Sequence, residues 1–234
     1  MKKNAFLLVI AIMLQSCMSQ LATVRLSQQD DVFSRPSLKD ILSSKSSPSI
    51  LVRIPDGATT GDVDKVVPAG SMYSAIENEF VRNGYVVRDR SLFNRVMGGE
   101  QMSDYETLYS ITNVDFLIEV INFSVVKLST NTYYDKKNQA KTMNESYSWN
   151  GLKVEFRVIA LKENEIAGIY TFYWYPCEDG CEYLYNPDNP QKGLQRPASN
   201  NKLSPLPVES ISVDVYATFM TDATRRLISE FKKL

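Results

Sequence analysis

The chain contains no histidine in 234 residues. That excludes Ser-His-Asp and Cys-His nucleophilic machinery, imidazole acid–base chemistry and any zinc centre needing an imidazole ligand. There is no excess of positive charge, with 26 Lys+Arg against 27 Asp+Glu. No basic patch therefore speaks for nucleic acid. No glycine-rich phosphate loop is present; Gly98-Gly99 fits no such motif. The polar positions nominate no cofactor and no metal. Glu155, Glu163 and Glu165 are close in sequence, but the first falls on the polar face of a strand and the others in a turn, so no acid and base are placed together. The expectation is a protein that is not an enzyme. No apolar run reaches the roughly 20 residues that a membrane-spanning helix needs.

What is present begins at the N-terminus. Lys2 and Lys3 precede an apolar run from Ala5 to Leu14, and small Ser16 stands before Cys17. A positive start, a short apolar middle and a small residue at the cut describe a secretory signal over residues 1–16. Leu14-Gln15-Ser16-Cys17 resembles the bacterial lipobox, with Gln15 departing from the usual small or branched residue. The expectation is a lipidated Cys17, anchoring the mature chain to a membrane through lipid. Met18 and Ser19 supply no aspartate retention signal. This favours the outer membrane, facing the periplasm.

Two further cysteines, Cys177 and Cys181, flank Glu178-Asp179-Gly180. In an oxidising compartment an even pair across an Asp-Gly turn reads as a local disulfide clip. Residues 17–49, rich in serine and interrupted by Pro36 and Pro48, read as a flexible tether of roughly 30 Å mean reach. Leu38, Ile41 and Leu42 could dock one helical turn within it.

Residues 50–234 read as a single α+β domain. Ile50–Ile54 is a strand. Met72, Ile76 and Phe80 repeat at helical spacing after Ser71, and Asn83-Gly84 ends that helix with glycine suited to the left-handed position. Tyr85–Arg88 is a strand, Ser91 caps a short helix, and Ser103-x-x-Glu106 is a capping-box pattern. Asp115–Leu128 is a strand, followed by a polar stretch. Leu152, Val154, Phe156 and Val158 then alternate with Lys153, Glu155 and Arg157, the signature of a sheet with one wet face. Ile166–Tyr175 is a strand aromatic on both faces, Cys177–Pro207 a proline-rich loop, and Glu209–Lys232 a closing amphipathic helix. The expected order is β-α-β-α-α-β-β-β-α, a mixed sheet of about five strands packed by helices.

Tyr85-Val86-Val87-Arg88-Asp89-Arg90-Ser91-Leu92-Phe93 resembles the strand, Asp-Arg-Ser, helix segment of the curli-secretion-channel lipoprotein (CsgG) family. Glu100-Gln101 and the strand start Asn113–Ile118 are similar to that family's motifs too. The fold is shared with lipoproteins that activate cell-wall synthases. The resemblance implies a lipid-anchored envelope protein of a secretion or cell-wall system, with an envelope protein or a second copy as partner. Tyr170, Tyr173, Trp174, Tyr175, Tyr183 and Tyr185 crowd one stretch and are the candidate partner-binding residues. The same six read equally well as a core strand followed by a tyrosine-rich loop. The alternative implied by the resemblance is a pore subunit inserting β-hairpins in the outer membrane. Only Ser124–Asn150 and Tyr170–Pro207 are candidates for those hairpins, and neither offers a continuous apolar face.

Overall fold

A computed structural model describes residues 21–26, 28–60, 63, 67–91, 93, 105–176, 181–195 and 211–234, with Leu26 and Cys181 described by backbone alone. Residues 1–16, Cys17, Glu100-Gln101, Ser103 and Cys177 lie outside the described residues, and with them the signal, the lipid site and the proposed disulfide.

The structure is mixed α+β, as expected, but its sheet has eight strands rather than about five. They are β1 (Ala22–Leu26), β2 (Asp31–Ser34), β3 (Ser49–Arg53), β4 (Val86–Val87), β5 (Phe116–Tyr134), β6 (Ala140–Ala160), β7 (Glu165–Trp174) and β8 (Cys181–Tyr185). The helices are α1 (Pro36–Ser44), α2 (Ala69–Arg82), α3 (Tyr105–Thr112) and α4 (Val213–Lys233). Among the described residues no helix is long and apolar enough to cross a membrane.

The additional strands come from segments expected to be irregular. Residues 22–44, assigned to the tether, form β1, β2 and α1. The polar stretch after Leu128 continues β5 to Tyr134 and begins β6 at Ala140. Its Ser, Thr, Asn and Tyr side chains carry no apolar alternation, yet β-branched and aromatic residues suit a pleated, half-wet surface. Part of the proline-rich loop forms β8, whose five residues pair with β1. Pairing partners distant in sequence are not visible to local periodicity.

The described residues fall into two compact units, one within 28–128, 149–175 and 211–234, the other within 21–26, 129–148 and 181–195. In the larger unit the strand order is β2-β7-β6-β5-β3-β4, with β3 parallel to both β4 and β5, and β7 antiparallel to β2 and β6. One face carries Ile50, Val52, Phe116, Ile118, Leu152, Val154, Phe156, Tyr170 and Phe172, packed against Leu38 of α1, Met72, Ile76 and Phe80 of α2, and Phe219, Met220, Leu227 and Phe231 of α4. The period-two partners Leu51, Leu117 and Ile159 face the other side and meet Leu108 of α3 and Phe93. The helical stripes and the β6 alternation fall where the sequence puts them. Gly84, at φ +86°, takes the left-handed position after α2, and Tyr85 N–H donates to the Phe80 carbonyl at 3.1 Å.

In the smaller unit β1 lies antiparallel to β8, and Thr23 is in register with Tyr134 at the end of β5. The turn between β5 and β6 is built around Asp135. Its carboxylate accepts the N–H groups of Lys137 (2.9 Å) and Gln139 (3.0 Å), while Asn138 takes φ +58°.

Candidate interaction surface

The six aromatic residues nominated by the sequence do not form one exposed patch. Tyr170 is fully buried on β7, where its hydroxyl lies 2.6 Å from Ser34 Oγ and its ring meets Phe231 at 5.6 Å. Burial pushes its phenol up, against the effect of the hydrogen bond shared with Ser34. Tyr183 and Tyr185 are buried in the smaller unit, Tyr185 against the rings of Tyr133 at 5.3 Å and Tyr147 at 6.4 Å. Tyr173, Trp174 and Tyr175 are half-buried. Trp174 packs on the main core, and the Tyr175 hydroxyl accepts the Gln28 N–H at 3.0 Å. Packing between elements therefore takes most of the aromatic surface.

The apolar surface that does reach solvent lies on a strand the sequence placed in the tether. β2 ends the strand order of the larger unit, with β7 on one side and no strand on the other among the described residues. Phe33 is 53% exposed and Val32 40%. β2 can lie so close because Gly168, paired with Ser34, has no side chain: a Cβ there would meet the Tyr170 ring at 2.6 Å and the Phe33 carbonyl at 3.0 Å. The start of β2 is held by Asp30, whose carboxylate takes Arg226 Nη1 at 2.8 and 3.0 Å and the Tyr173 N–H at 3.2 Å.

Register carries Phe33 into a row across the sheet. Phe33 is opposite Ile169, Ile169 is opposite Arg157, and Arg157 donates to Glu119, which is opposite Arg53. Glu119 is fully buried, accepting from Arg53 Nη1 at 2.8 Å and from Arg157 Nε and Nη2 at 2.8 and 2.6 Å. Phe93 covers the Arg53 guanidinium, 4.8 Å from its ring centroid. The row thus runs from an exposed aromatic edge to a closed ionic rung.

The other buried carboxylates are similarly occupied. Burial would raise Asp115, but hydrogen bonds from Lys45 and from the backbone and hydroxyl of Ser49 hold it below the usual carboxylate range. Hydrogen bonds from Arg225, outweighing burial, hold Glu79 below its usual range, with Arg82 adding to the effect. A cavity of about 320 Å³ opens beside Lys45 and Asp115, lined also by Asp40, Tyr109, Lys162 and Glu163. Charged side chains of both signs line it. Among the described residues no group of three or more carboxylate or thiol side chains could hold a metal ion.

Sequence reasoning missed Val32, Phe33 and the Arg53–Glu119–Arg157 rung. A four-residue strand leaves too short an alternation to detect, and the rung joins residues up to 104 positions apart along the chain.

No family model and no curated protein matches the chain. Among solved structures it is similar to a PelC dodecamer from Paraburkholderia phytofirmans, at 11% identity over 87% of this chain and 98% of that one, TM-score 0.39. It is similar also to lipoprotein GNA1162 from Neisseria meningitidis, at 12% identity over 57% and 84%, TM-score 0.33. A third is the hypothetical protein CT253 from Chlamydia trachomatis, at 9% identity over 80% and 94%, TM-score 0.30. The curli channel is not named among the three.

Proposed function

We propose that the chain is a lipid-anchored protein of the bacterial envelope, working without catalysis as an assembly module of a secretion or cell-wall system. The observation that carries the module reading is the open edge of β2, with Val32 and Phe33 exposed and no further strand beside it among the described residues. Such an edge is a template for adding a strand from another chain. The buried carboxylates support a structural, non-catalytic chemistry, since each is committed to a cation. The anchor rests on Cys17 and its lipobox-like context.

The pore reading draws on the length of β5 and β6, 19 and 21 residues, against the roughly 9–11 that span a bilayer. The exposed positions of their joined ends are Lys127, Ser129, Asn131, Ala140, Lys141, Thr142, Asn144, Glu145, Ser146 and Ser148, nearly all polar, which make no lipid-facing band. We therefore rank it second.

The test is a photo-cross-linking residue at Phe33 in intact cells, combined with fractionation of Cys17→Ser. The module reading expects a discrete adduct, with a second copy or an envelope protein, that Val32→Lys abolishes. The anchor reading expects the Cys17→Ser chain in the soluble periplasmic fraction. Absence of any adduct from a folded, membrane-bound chain would remove the β2 edge from the proposal.

A further inference from the structure

We propose that the turn Asp135–Gln139 is a second membrane contact, resting on an anionic lipid surface through Lys136 and Lys137. This inference rests on the lipid-anchor reading of Cys17 and adds to it a contact that the lipid alone does not require.

The argument starts from chain length. β1 begins at Ala22, and Leu21 is the first described residue, four positions after Cys17. Four residues span at most about 14 Å when fully extended. Whatever course they take, the acylated residue is within that distance of Leu21. The flexible tether expected from composition would have allowed more than twice that reach.

The register decides what lies beside Leu21. β1 is antiparallel to β5, with Thr23 opposite Tyr134. Moving back along β1 from Thr23 to Leu21 therefore moves past the end of β5 to the turn. Leu21, Thr23 and Arg25 line one shallow depression with Tyr134, Asp135 and Lys136. The lipid is thus held at the turn end of this hairpin.

The charge of the turn suits that position. Lys141 Nζ pairs with Asp135 at 3.1 Å, and Arg25 Nε pairs with Glu182 at 2.9 Å while covering the Tyr134 ring at 4.9 Å. These two carboxylates are thereby used. Lys136 and Lys137 are exposed and add two positive charges that neither offsets. Leu21, 40% exposed, and half-buried Tyr134 give the same end an apolar and aromatic rim, as suits the boundary between headgroups and water. The turn is also firm: Asp135 accepts two backbone N–H groups within it, so the lysines are presented by a fixed loop. A lipobox cysteine carries more than one acyl chain and anchors stably by itself, so the basic turn sets how the chain lies against the headgroups rather than whether it stays bound.

The test is amine footprinting of the full acylated chain, purified from membranes, read by mass spectrometry. It is reconstituted in vesicles containing phosphatidylglycerol. The Cys17→Ser chain in solution is the reference, and exposed Lys39 is the internal control. Each lysine at an anionic surface is favoured about fivefold. Acetylation of Lys136 and Lys137 is therefore expected to slow at least about fivefold on the vesicles, with Lys39 unchanged and high salt restoring the rate. Equal labelling of the two lysines on vesicles and in solution overturns the inference while leaving the anchor intact. A chain that carries no acyl group and does not float with vesicles overturns the anchor reading itself. Slowed labelling that persists without vesicles reassigns the turn to a protein contact and overturns the lipid assignment.

Discussion

Arg225 of α4 holds Glu79 of α2 through two hydrogen bonds of 3.0 Å, Nε to Oε2 and Nη2 to Oε1. Arg82 adds a third at 2.8 Å to Oε1. The pair sits beside the apolar seam in which the Phe80 and Phe231 rings lie 6.3 Å apart, so it fixes the register of the two helices that cover the sheet. Its pH consequence has a definite sign. The ordinary value for Glu79 is 4.5 and for Asp115 is 3.8, and both carboxyls are held lower in the folded chain. A depressed folded value contributes stability that is fully present above the unfolded value and lost as pH falls through the folded one. The melting temperature is therefore expected to be flat above about pH 5 and to fall below it. Glu79→Gln and Asp115→Asn should each lower the neutral-pH plateau and flatten the acid decline. Thermal scans from neutral to strongly acid pH check this; an unchanged acid slope in the double variant would falsify the assignment.

How much of this was legible in the sequence depended on whether the deciding contact was local. The stripe Met72, Ile76, Phe80, the alternation along Leu152–Val158 and the glycine after α2 are readable because helix and strand periods act within a few residues. The α+β class followed from them. β1 and β8 were not readable, because a five-residue strand such as Ala22–Leu26 declares itself only through partners about 160 positions away. The tyrosine stretch was readable as chemistry but not as location. Tyr170, Tyr183 and Tyr185 are buried by their neighbours, whereas the exposed ring of Phe33 sat in a serine-rich segment with no period to mark it.

Gly151 is required by space rather than by backbone angle. A Cβ there would lie 2.6 Å from Leu128 Cδ1 and 2.7 Å from the Trp174 carbonyl oxygen. Leucine can rotate, but the carbonyl belongs to the β7 backbone and cannot yield without moving the strand. Gly151→Ala is expected to destabilise by about 1–3 kcal/mol, as overpacking does. Gly84→Ala meets no atom within 4 Å and suffers only from φ +86°. Its expected cost is about 1 kcal/mol. Paired denaturant titrations test the order, and a Gly84 variant weaker than the Gly151 variant contradicts the reading.

The Arg53–Glu119–Arg157 rung makes the sharpest prediction, because its centre is wholly buried and its ends are not. Glu119 has no exposed side-chain surface, while Arg53 and Arg157 retain 24% and 31%. Removing the carboxylate leaves two guanidiniums facing each other across β5 without a counter-charge, with Phe93 over one of them. Partial hydration of the arginines limits the damage, so Glu119→Ala is expected to cost about 3 kcal/mol, at the lower end for breaking a buried pair. In a chain of this size that is roughly 6–12 °C in melting temperature. Desolvation of all three groups already opposes their attraction, so an apolar replacement of the whole rung behaves differently. Arg53→Met, Glu119→Leu and Arg157→Met together should recover most or all of the loss. Differential scanning calorimetry of the single and triple variants separates the cases. A harmless Glu119→Ala would mean that the rung holds nothing together. A triple variant as unstable as the single one would mean that the charges, rather than the volume they fill, are what positions α3 and Phe93 on this face of the sheet.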